Sequence, residues 1–120
     1  MAEQYSKRLI GVHGLTLPPM RTGRTNVHWM YAVVVENGFG KTRNGLMAHL
    51  LEQGIDTRTF FAPLHRQPVL RRLGLHGKTP LPVSEDLSRR GLYLPSGLAI
   101  TEHEIDRVCE VVRRAARSAR

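Results

Sequence analysis

Residues 28–36 have the sequence HWMYAVVVE, and this stretch decides the fold because aromatic and β-branched residues dominate it. Such residues favour extended backbone, and the Asn37-Gly38 pair that follows is typical of a turn. We therefore predict a strand over 28–36, at the centre of a small sheet. Trp29 and Tyr31 are two residues apart and so share one face, which favours packing of both rings in a core or a domain interface.

Two amphipathic helices are predicted on the C-terminal side of this strand. Thr42 is a suitable N-cap for a helix that continues to residue 53, before Gly54. A capping box of Thr101 and Glu104 begins the closing helix, whose last turns carry arginines that complement the helix dipole. The spacing predicts that each helix buries one apolar face, formed by Leu46, Met47, Leu50 and Leu51 in the first and by Ile105, Val108, Cys109 and Val112 in the second.

The remaining segments predict short elements. At the N-terminus we expect a helix that ends near Gly11, and an edge strand over 15–17 that is stopped by two prolines. An exposed loop over 20–26 separates this edge strand from the central one. Further along, the sequence predicts a helical turn over 69–73, followed by a glycine- and lysine-rich connection over 74–80. A helix that begins at a proline is predicted over 82–90, and a strand over 92–94. The helix near Gly11 is expected to have its apolar face on Tyr5, Leu9 and Ile10.

Together these elements predict the α+β class, with a small mixed or antiparallel sheet of three to four short strands and helices packed on one face. A length of 120 residues with 41% hydrophobic residues corresponds to one domain with a modest core. The sequence lacks a long apolar run and an apolar signal-peptide core, and it has a single cysteine, so we expect no membrane contact and a cytoplasmic location.

Residues 55–68, IDTRTFFAPLHRQP, hold the most unusual chemistry of the chain. Two prolines exclude a helix interior, so we expect a short strand over 56–60 that continues into a stiff loop with His65 and Gln67. The planar guanidinium of Arg58 can form two parallel hydrogen bonds with a carboxylate or phosphate. The imidazole of His65 and the amide of Gln67 can hydrogen-bond sugar hydroxyls. From these residues alone, a surface ion pair for Arg58 and a structural hydrogen bond for His65 are equally good interpretations.

Other motifs carry less chemistry. The GFGKT turn at 38–42 is too short for a P-loop, because a valine, Val35, stands where the first glycine is needed. No two histidines are three or four residues apart, so we expect no metal site, and Cys109 is expected in the core. The net charge of +8 could attract an anion, but the basic C-terminal tail lies far from the aromatic residues, which argues against nucleic acid.

The segments TRTFFAPLHRQP and LPSGLAIT (94–101), together with the EID of the last helix, resemble the C-terminal small domain of the DegT/DnrJ/StrS sugar aminotransferases, which use pyridoxal phosphate. The LPSG form is most similar to perosamine-synthase-like enzymes, which aminate a nucleotide-linked 4-keto-6-deoxysugar. The resemblance implies the small domain of a fold type I enzyme over 13–120, with 1–12 as the end of the interdomain helix and the large cofactor domain absent. It also favours Arg58, Phe61, His65 and Gln67 as substrate contacts.

In such enzymes glutamate gives its amino group to the cofactor, which passes it to the sugar. None of Lys7, Lys41 and Lys78 matches the family's Schiff-base lysine, so the resemblance assigns no catalytic or cofactor-binding residue to this chain. We therefore expect a fragment that is inactive alone and works with a separately encoded large domain or a homodimer partner. A regulatory domain that has lost catalysis and a basic nucleic-acid or anion binder are the alternatives. An apolar patch near Tyr5, Leu9 and Trp29 is expected where the large domain is missing.

Overall fold

The computed structural model describes residues 1–75 and 80–117. The side chain of Arg117 and part of the predicted 74–80 connection, including Lys78, lie outside the described residues. In chain order the elements are α1 (Ala2–Leu9), β1 (Leu15–Thr16), β2 (Tyr31–Val35), α2 (Arg43–Glu52), β3 (Arg58–Thr59), α3 (Pro68–Arg72), α4 (Pro82–Arg90), β4 (Gly91–Leu94) and α5 (Glu102–Arg117). Single 3₁₀ turns occupy Asn37–Phe39 and Leu64–Arg66.

The strands form one antiparallel sheet in the order β1-β2-β4-β3. Strand β2 is central, as predicted, and its register with β4 places Val33 opposite Leu92. Burial alternates along β2, because Tyr31, Val33 and Val35 point into the core while the residues between them do not. The predicted α+β class and the predicted number of strands are confirmed.

One hydrophobic core lies between one face of this sheet and helices α1, α2 and α5. It joins buried residues from every layer, namely Tyr5, Leu9, Val33, Leu46, Leu50, Leu92, Leu94, Ile105, Val108, Cys109 and Val112. Burial raises the pKa of the Cys109 thiol to about 11, so the side chain stays protonated near neutral pH. The prediction that this cysteine belongs to the core is confirmed.

Helix α1 is part of this core. The Tyr5 ring stacks on Tyr31 with 4.8 Å between centroids, and its hydroxyl donates to the carbonyl of Pro95 at 2.8 Å. Burial raises the pKa of the Tyr5 hydroxyl well above its usual range. Arg8 bonds to Asp106 and Glu102 of α5, which fixes one helix against the other.

Some predicted details are wrong. Ile10 and Leu51 are exposed, because the sides of the helices that face the core are formed by Tyr5 and Leu9 in α1 and by Leu46 and Leu50, with Met47 partly buried, in α2. Tyr5 and Leu9 are fully buried against β2 and α5, so they cannot belong to the predicted apolar patch, whereas its third residue, Trp29, is 67% exposed.

The central strand begins at Tyr31, three residues later than predicted. His28 has a φ of 45°, in the left-handed region, so the backbone cannot enter the extended ladder there. Trp29 consequently lies outside the ladder and is 67% exposed, whereas Tyr31 is buried. Of the two predicted kinds of packing, Trp29 therefore does not show packing in the core of this domain, and its packing in a domain interface stays a prediction.

Within the described residues, no helix has the length and apolar character that crossing a membrane requires.

Candidate functional site

Strand β3 holds the start of the unusual 55–68 segment at the edge of the sheet. Arg58 lies opposite Tyr93 in the antiparallel ladder, and Thr59 lies opposite Leu92. The amide of Phe60 donates to the carbonyl of Gly91 at 3.2 Å, which extends the pairing by one bond. Residues opposite each other in a ladder share a face, so Arg58 and Tyr93 lie on the face away from the core.

An aromatic cluster covers this outer face, with Tyr93 in its middle. The rings of Trp29, Phe60 and Phe61 all contact Tyr93, with centroid separations of 6.2, 4.7 and 6.2 Å. Phe60 is stacked flat, whereas the other two rings are tilted by 52° and 56°. Trp29 is 67% exposed and Phe61 is 72% exposed, so these two rings of the cluster are accessible to a ligand or to another protein surface.

Arg58 borders a cleft of about 590 Å³ beside this aromatic cluster. Its guanidinium pairs with the Asp56 carboxylate at 2.9 Å, and the arginine side chain is 74% exposed. An exposed pair of this kind is worth about 0 to 1 kcal/mol, so an anionic ligand can replace the carboxylate at small cost. Tyr93 lines this cleft and also the apolar groove beneath Phe61, and so connects the two.

The loop after β3 is held in place by polar contacts of its own backbone. Ser88 of α4 donates its hydroxyl to the carbonyl of Phe61 at 3.0 Å, and the side-chain amide of Gln67 donates to the carbonyl of Ala62 at 3.3 Å. Pro68 then begins α3. These contacts hold the backbone that carries the exposed Phe61 ring.

His65 is turned towards α4. Its Nε2 atom lies 2.9 Å from a carboxylate oxygen of Glu85, and its side chain is only 15% exposed. The hydrogen bond from His65, with a smaller contribution from Arg66, lowers the pKa of the Glu85 carboxyl below its usual range. This contact joins the loop to the helix that follows it.

The structure thus brings only part of the predicted site together. Arg58 and Phe61 lie on either side of Tyr93, whereas the described contacts of His65 and Gln67 are with α4 and with the loop itself. Sequence reasoning missed Tyr93. Its signal was available, because Leu92 and Leu94 alternate with it in the last strand and leave it on the outer face.

Comparison with known proteins decides the family. The model of the DegT/DnrJ/EryC1/StrS aminotransferase family matches residues 1–113. The chain belongs to this aminotransferase family.

Its curated relatives include nucleotide-sugar enzymes of bacteria. The GDP-perosamine synthase of Vibrio cholerae is 28% identical over 94% of this chain, and the dTDP-4-dehydro-2,3,6-trideoxy-D-glucose 4-aminotransferase of Saccharopolyspora spinosa is 31% identical over 96% of it. The chain spans only 30% and 28% of the lengths of these two relatives.

Solved aminotransferase structures have the same fold. TlmJ of Streptoalloteichus hindustanus superposes with a TM-score of 0.81 at 27% sequence identity. The superposition covers 98% of this chain and 30% of the TlmJ chain. DesV of Streptomyces venezuelae, solved with a ketimine intermediate, superposes with a TM-score of 0.80 at 31% sequence identity. The superposition covers 96% of this chain and 30% of the DesV chain.

The family implies pyridoxal phosphate, and the described lysines do not fit a Schiff-base role. Lys7 pairs with Glu3 at 2.9 Å on the exposed side of α1. Lys41 lies in the turn before α2, in a depression with Glu36, Arg89 and Arg90. Such a lysine needs a desolvated pocket or a cationic neighbour that lowers its pKa, and groups that hold the cofactor's phosphate and pyridinium nitrogen. The described residues offer no such combination around Lys7. Beside Lys41, the cationic Arg89 and Arg90 line the same depression, but both are already paired with Asp86, and Arg90 also with Glu36.

Proposed function

We propose that this chain is the C-terminal domain of a nucleotide-sugar aminotransferase and contributes substrate contacts to an active site whose cofactor-binding part lies elsewhere. The observation that carries the proposal is the family match over residues 1–113, which covers under a third of the curated relatives. The reaction is amino transfer from glutamate to a 4-keto-6-deoxysugar linked to a nucleotide. By itself the chain is proposed to be inactive, because neither Lys7 nor Lys41, the two lysines that the structure describes, fits a Schiff-base role.

Arg58 is proposed to bind an anionic group of the substrate. The guanidinium is exposed and borders the 590 Å³ cleft, and among the residues that the structure describes it is engaged only by the exposed Asp56. Arginine forms two parallel hydrogen bonds with a phosphate or carboxylate, which sets the orientation as well as the charge. Phe61, fixed by Ser88, supplies an apolar wall next to it.

His65 and Gln67 are proposed to contact sugar hydroxyls at the far end of the same loop. In the isolated domain the Glu85 carboxylate holds the imidazole and the Ala62 carbonyl holds the amide. Each contact occupies one nitrogen, so the second imidazole nitrogen and the amide oxygen keep their hydrogen-bonding capacity. The loop therefore presents one further polar group from each side chain.

Pyridoxal phosphate, when bound to the complete enzyme, supplies the electron sink for amino transfer. We propose that this chain works with a separately encoded large domain or a homodimer partner, and that the assembly is located in the cytoplasm. The exposed aromatic cluster and the basic surplus of the chain both suit contact with further protein.

A chimeric enzyme tests this proposal. In the chimera, this chain replaces the segment of the Vibrio cholerae GDP-perosamine synthase that aligns with it over 113 residues. Glutamate-dependent amination of the GDP-linked keto sugar is then measured. Activity above that of the relative's truncated large domain is expected, because the substituted domain completes the active site.

A folded chimera that binds pyridoxal phosphate but shows no turnover would contradict the proposal. The isolated chain serves as the matched control and is expected to form no aldimine absorbance band with the cofactor. A band that disappears on borohydride reduction, with the reduced cofactor then attached to one lysine, would show that the chain binds the cofactor itself.

A further inference from the structure

The exposed loop between β1 and β2 contains two arginines that no other side chain engages. Neither Arg21 nor Arg24 forms an ion pair or side-chain hydrogen bond with any residue that the structure describes, and both are exposed. The sequence has no aspartate or glutamate between Glu3 and Glu36, so no local carboxylate is available to either. This loop is a region of uncompensated positive charge.

A tight turn brings the two arginines together. The amide of Arg24 donates to the carbonyl of Arg21 at 3.2 Å, which closes a four-residue β-turn. Gly23 has a φ of 74° at the third position of this turn, where a type II turn requires a left-handed residue. The ends of such a turn are within about 7 Å of each other, so both guanidiniums can reach one ligand.

Polar groups accompany the two cations. The turn forms one wall of a depression of about 350 Å³, which is also lined by Thr25 and Asn26. The Asn26 side-chain oxygen accepts from the His28 amide at 2.9 Å, which leaves its NH₂ group free to donate. The charges and donors that line the depression are therefore those that oxyanions need.

We propose that this arginine turn, residues 21–24 with Thr25 and Asn26, is a binding site for a diphosphate group. Two guanidiniums, each able to bond two oxygens, match two linked phosphates better than one carboxylate. That the diphosphate belongs to a nucleotide sugar rests on the proposed function, since the relatives named above act on GDP- and dTDP-linked sugars. The binding of a diphosphate by the turn does not depend on it.

Calorimetric titration of the 120-residue chain with inorganic diphosphate, and separately with GDP, tests the proposal. The double variant Arg21→Gln/Arg24→Gln is expected to bind both at least about tenfold more weakly, because charge-assisted hydrogen bonds are lost. The matched control is Arg71→Gln/Arg72→Gln, which removes the same charge from another exposed site and is expected to bind like the wild type. Thermal melting checks that both variants fold.

The site is refuted if neither ligand binds at millimolar concentration, or if both double variants lose affinity equally, since the effect then follows net charge alone. Preferential binding of a single-stranded oligonucleotide, weakened equally in both variants, refutes it in the same way. These measurements need no turnover, so their failure is separate from failure of the chimera. A chimera without activity leaves diphosphate binding by the turn intact and removes only its assignment to a nucleotide sugar.

Discussion

At the scale of single residues, Tyr93 connects the parts of the candidate site. Its ring contacts Trp29, Phe60 and Phe61, and it lines both the cleft beside Arg58 and the groove beneath Phe61. Ring contacts of this kind contribute about 0.5 to 1.5 kcal/mol each beyond their buried area. The orientation of the exposed rings therefore depends on a residue that need not touch the substrate itself.

Arg58→Lys tests the role of the guanidinium. In the chimera it is expected to lower kcat/KM about tenfold or more, because a charge-assisted bond worth about 1.5 to 3 kcal/mol is lost with the two-pronged geometry. His65→Gln is expected to be milder, since a neutral hydrogen bond is worth about 0.5 to 1.5 kcal/mol. Arg71→Lys, an exposed arginine in α3, is the control. Unchanged kinetics with a lower melting temperature would make Arg58 a structural partner of Asp56 instead.

At the scale of elements, β4 depends on the absence of a side chain at its first residue. A methyl group at Gly91 would overlap the Phe60 ring, which lies directly over this position. Phe60 can stack on Tyr93 only because Gly91 leaves this space. The end of α4, the start of β4 and the aromatic cluster are thus fitted to one another.

Gly91→Ala is expected to lower the free energy of unfolding by about 1 to 3 kcal/mol, the cost of overpacking. In a Phe60→Ala background the same change is expected to cost little, because the overlapping ring is gone. Denaturant unfolding of all four variants gives the coupling energy. Gly97→Ala is the control, since a methyl group there meets no atom. Equal costs in both backgrounds would show that the ring moves aside freely.

The start of α5 gives a pH-dependent prediction. The Thr101 amide donates to the Glu104 carboxylate at 2.7 Å, and this bond, together with one from the Thr101 hydroxyl, lowers the pKa of Glu104 from its ordinary 4.5. Because the folded pKa is depressed, the stabilisation is present above pH 4.5 and is lost as the pH falls through the folded value.

The difference in unfolding free energy between the wild type and Glu104→Gln should therefore shrink as the pH falls from about 7 to about 3. Glu110→Gln removes the same charge from the exposed side of α5 and serves as the control. A Glu104 difference that does not change over this range would show that the capping carboxylate contributes nothing through its ionised form.

At the scale of the whole molecule, the N-terminal helix α1 and the C-terminal helix α5 are bonded to each other and to the rest of the domain. Tyr5 bonds to the Pro95 carbonyl, Arg8 bonds to acids of α5, and Arg113 donates back to the Arg8 carbonyl at 2.8 Å. The N-terminal helix therefore belongs to the same packed core as the C-terminal one. Movement of α1 relative to the sheet would break all of these contacts.

Tyr5→Ala is expected to destabilise the fold by about 3 to 5 kcal/mol, the range for removing a large buried aromatic ring. Tyr5→Phe loses only the bond to Pro95 and is expected to cost about 0.5 to 1.5 kcal/mol. Ile10→Ala, at the exposed end of the same helix, should stay within about 0.5 kcal/mol of the wild type. If Tyr5→Ala behaved like Ile10→Ala in denaturant unfolding, α1 would be a detachable segment.

About half of the candidate site could be predicted from the sequence. The edge strand with Arg58 and the proline-stiffened loop were predictable, because proline restricts the backbone locally. The hydrogen bond between His65 and Glu85 could not be predicted, because the two residues are twenty positions apart in the sequence and meet only when α4 packs beside the loop. The exposure of Trp29 was also hidden, because it follows from the left-handed backbone at His28.

By itself the sequence determined the family and the helices and strands of this protein. The central strand depends on its aromatic and β-branched residues, and the capping box at Thr101 and the apolar faces of α2 and α5 depend on spacing along the chain, all of which the sequence states directly. Only the tertiary structure decided that α1 belongs to the core, that Tyr93 contacts three rings on the outer face, and that neither arginine of the turn is paired with a carboxylate among the residues that the structure describes. These features depend on which distant residues meet in space, and residue spacing does not determine that.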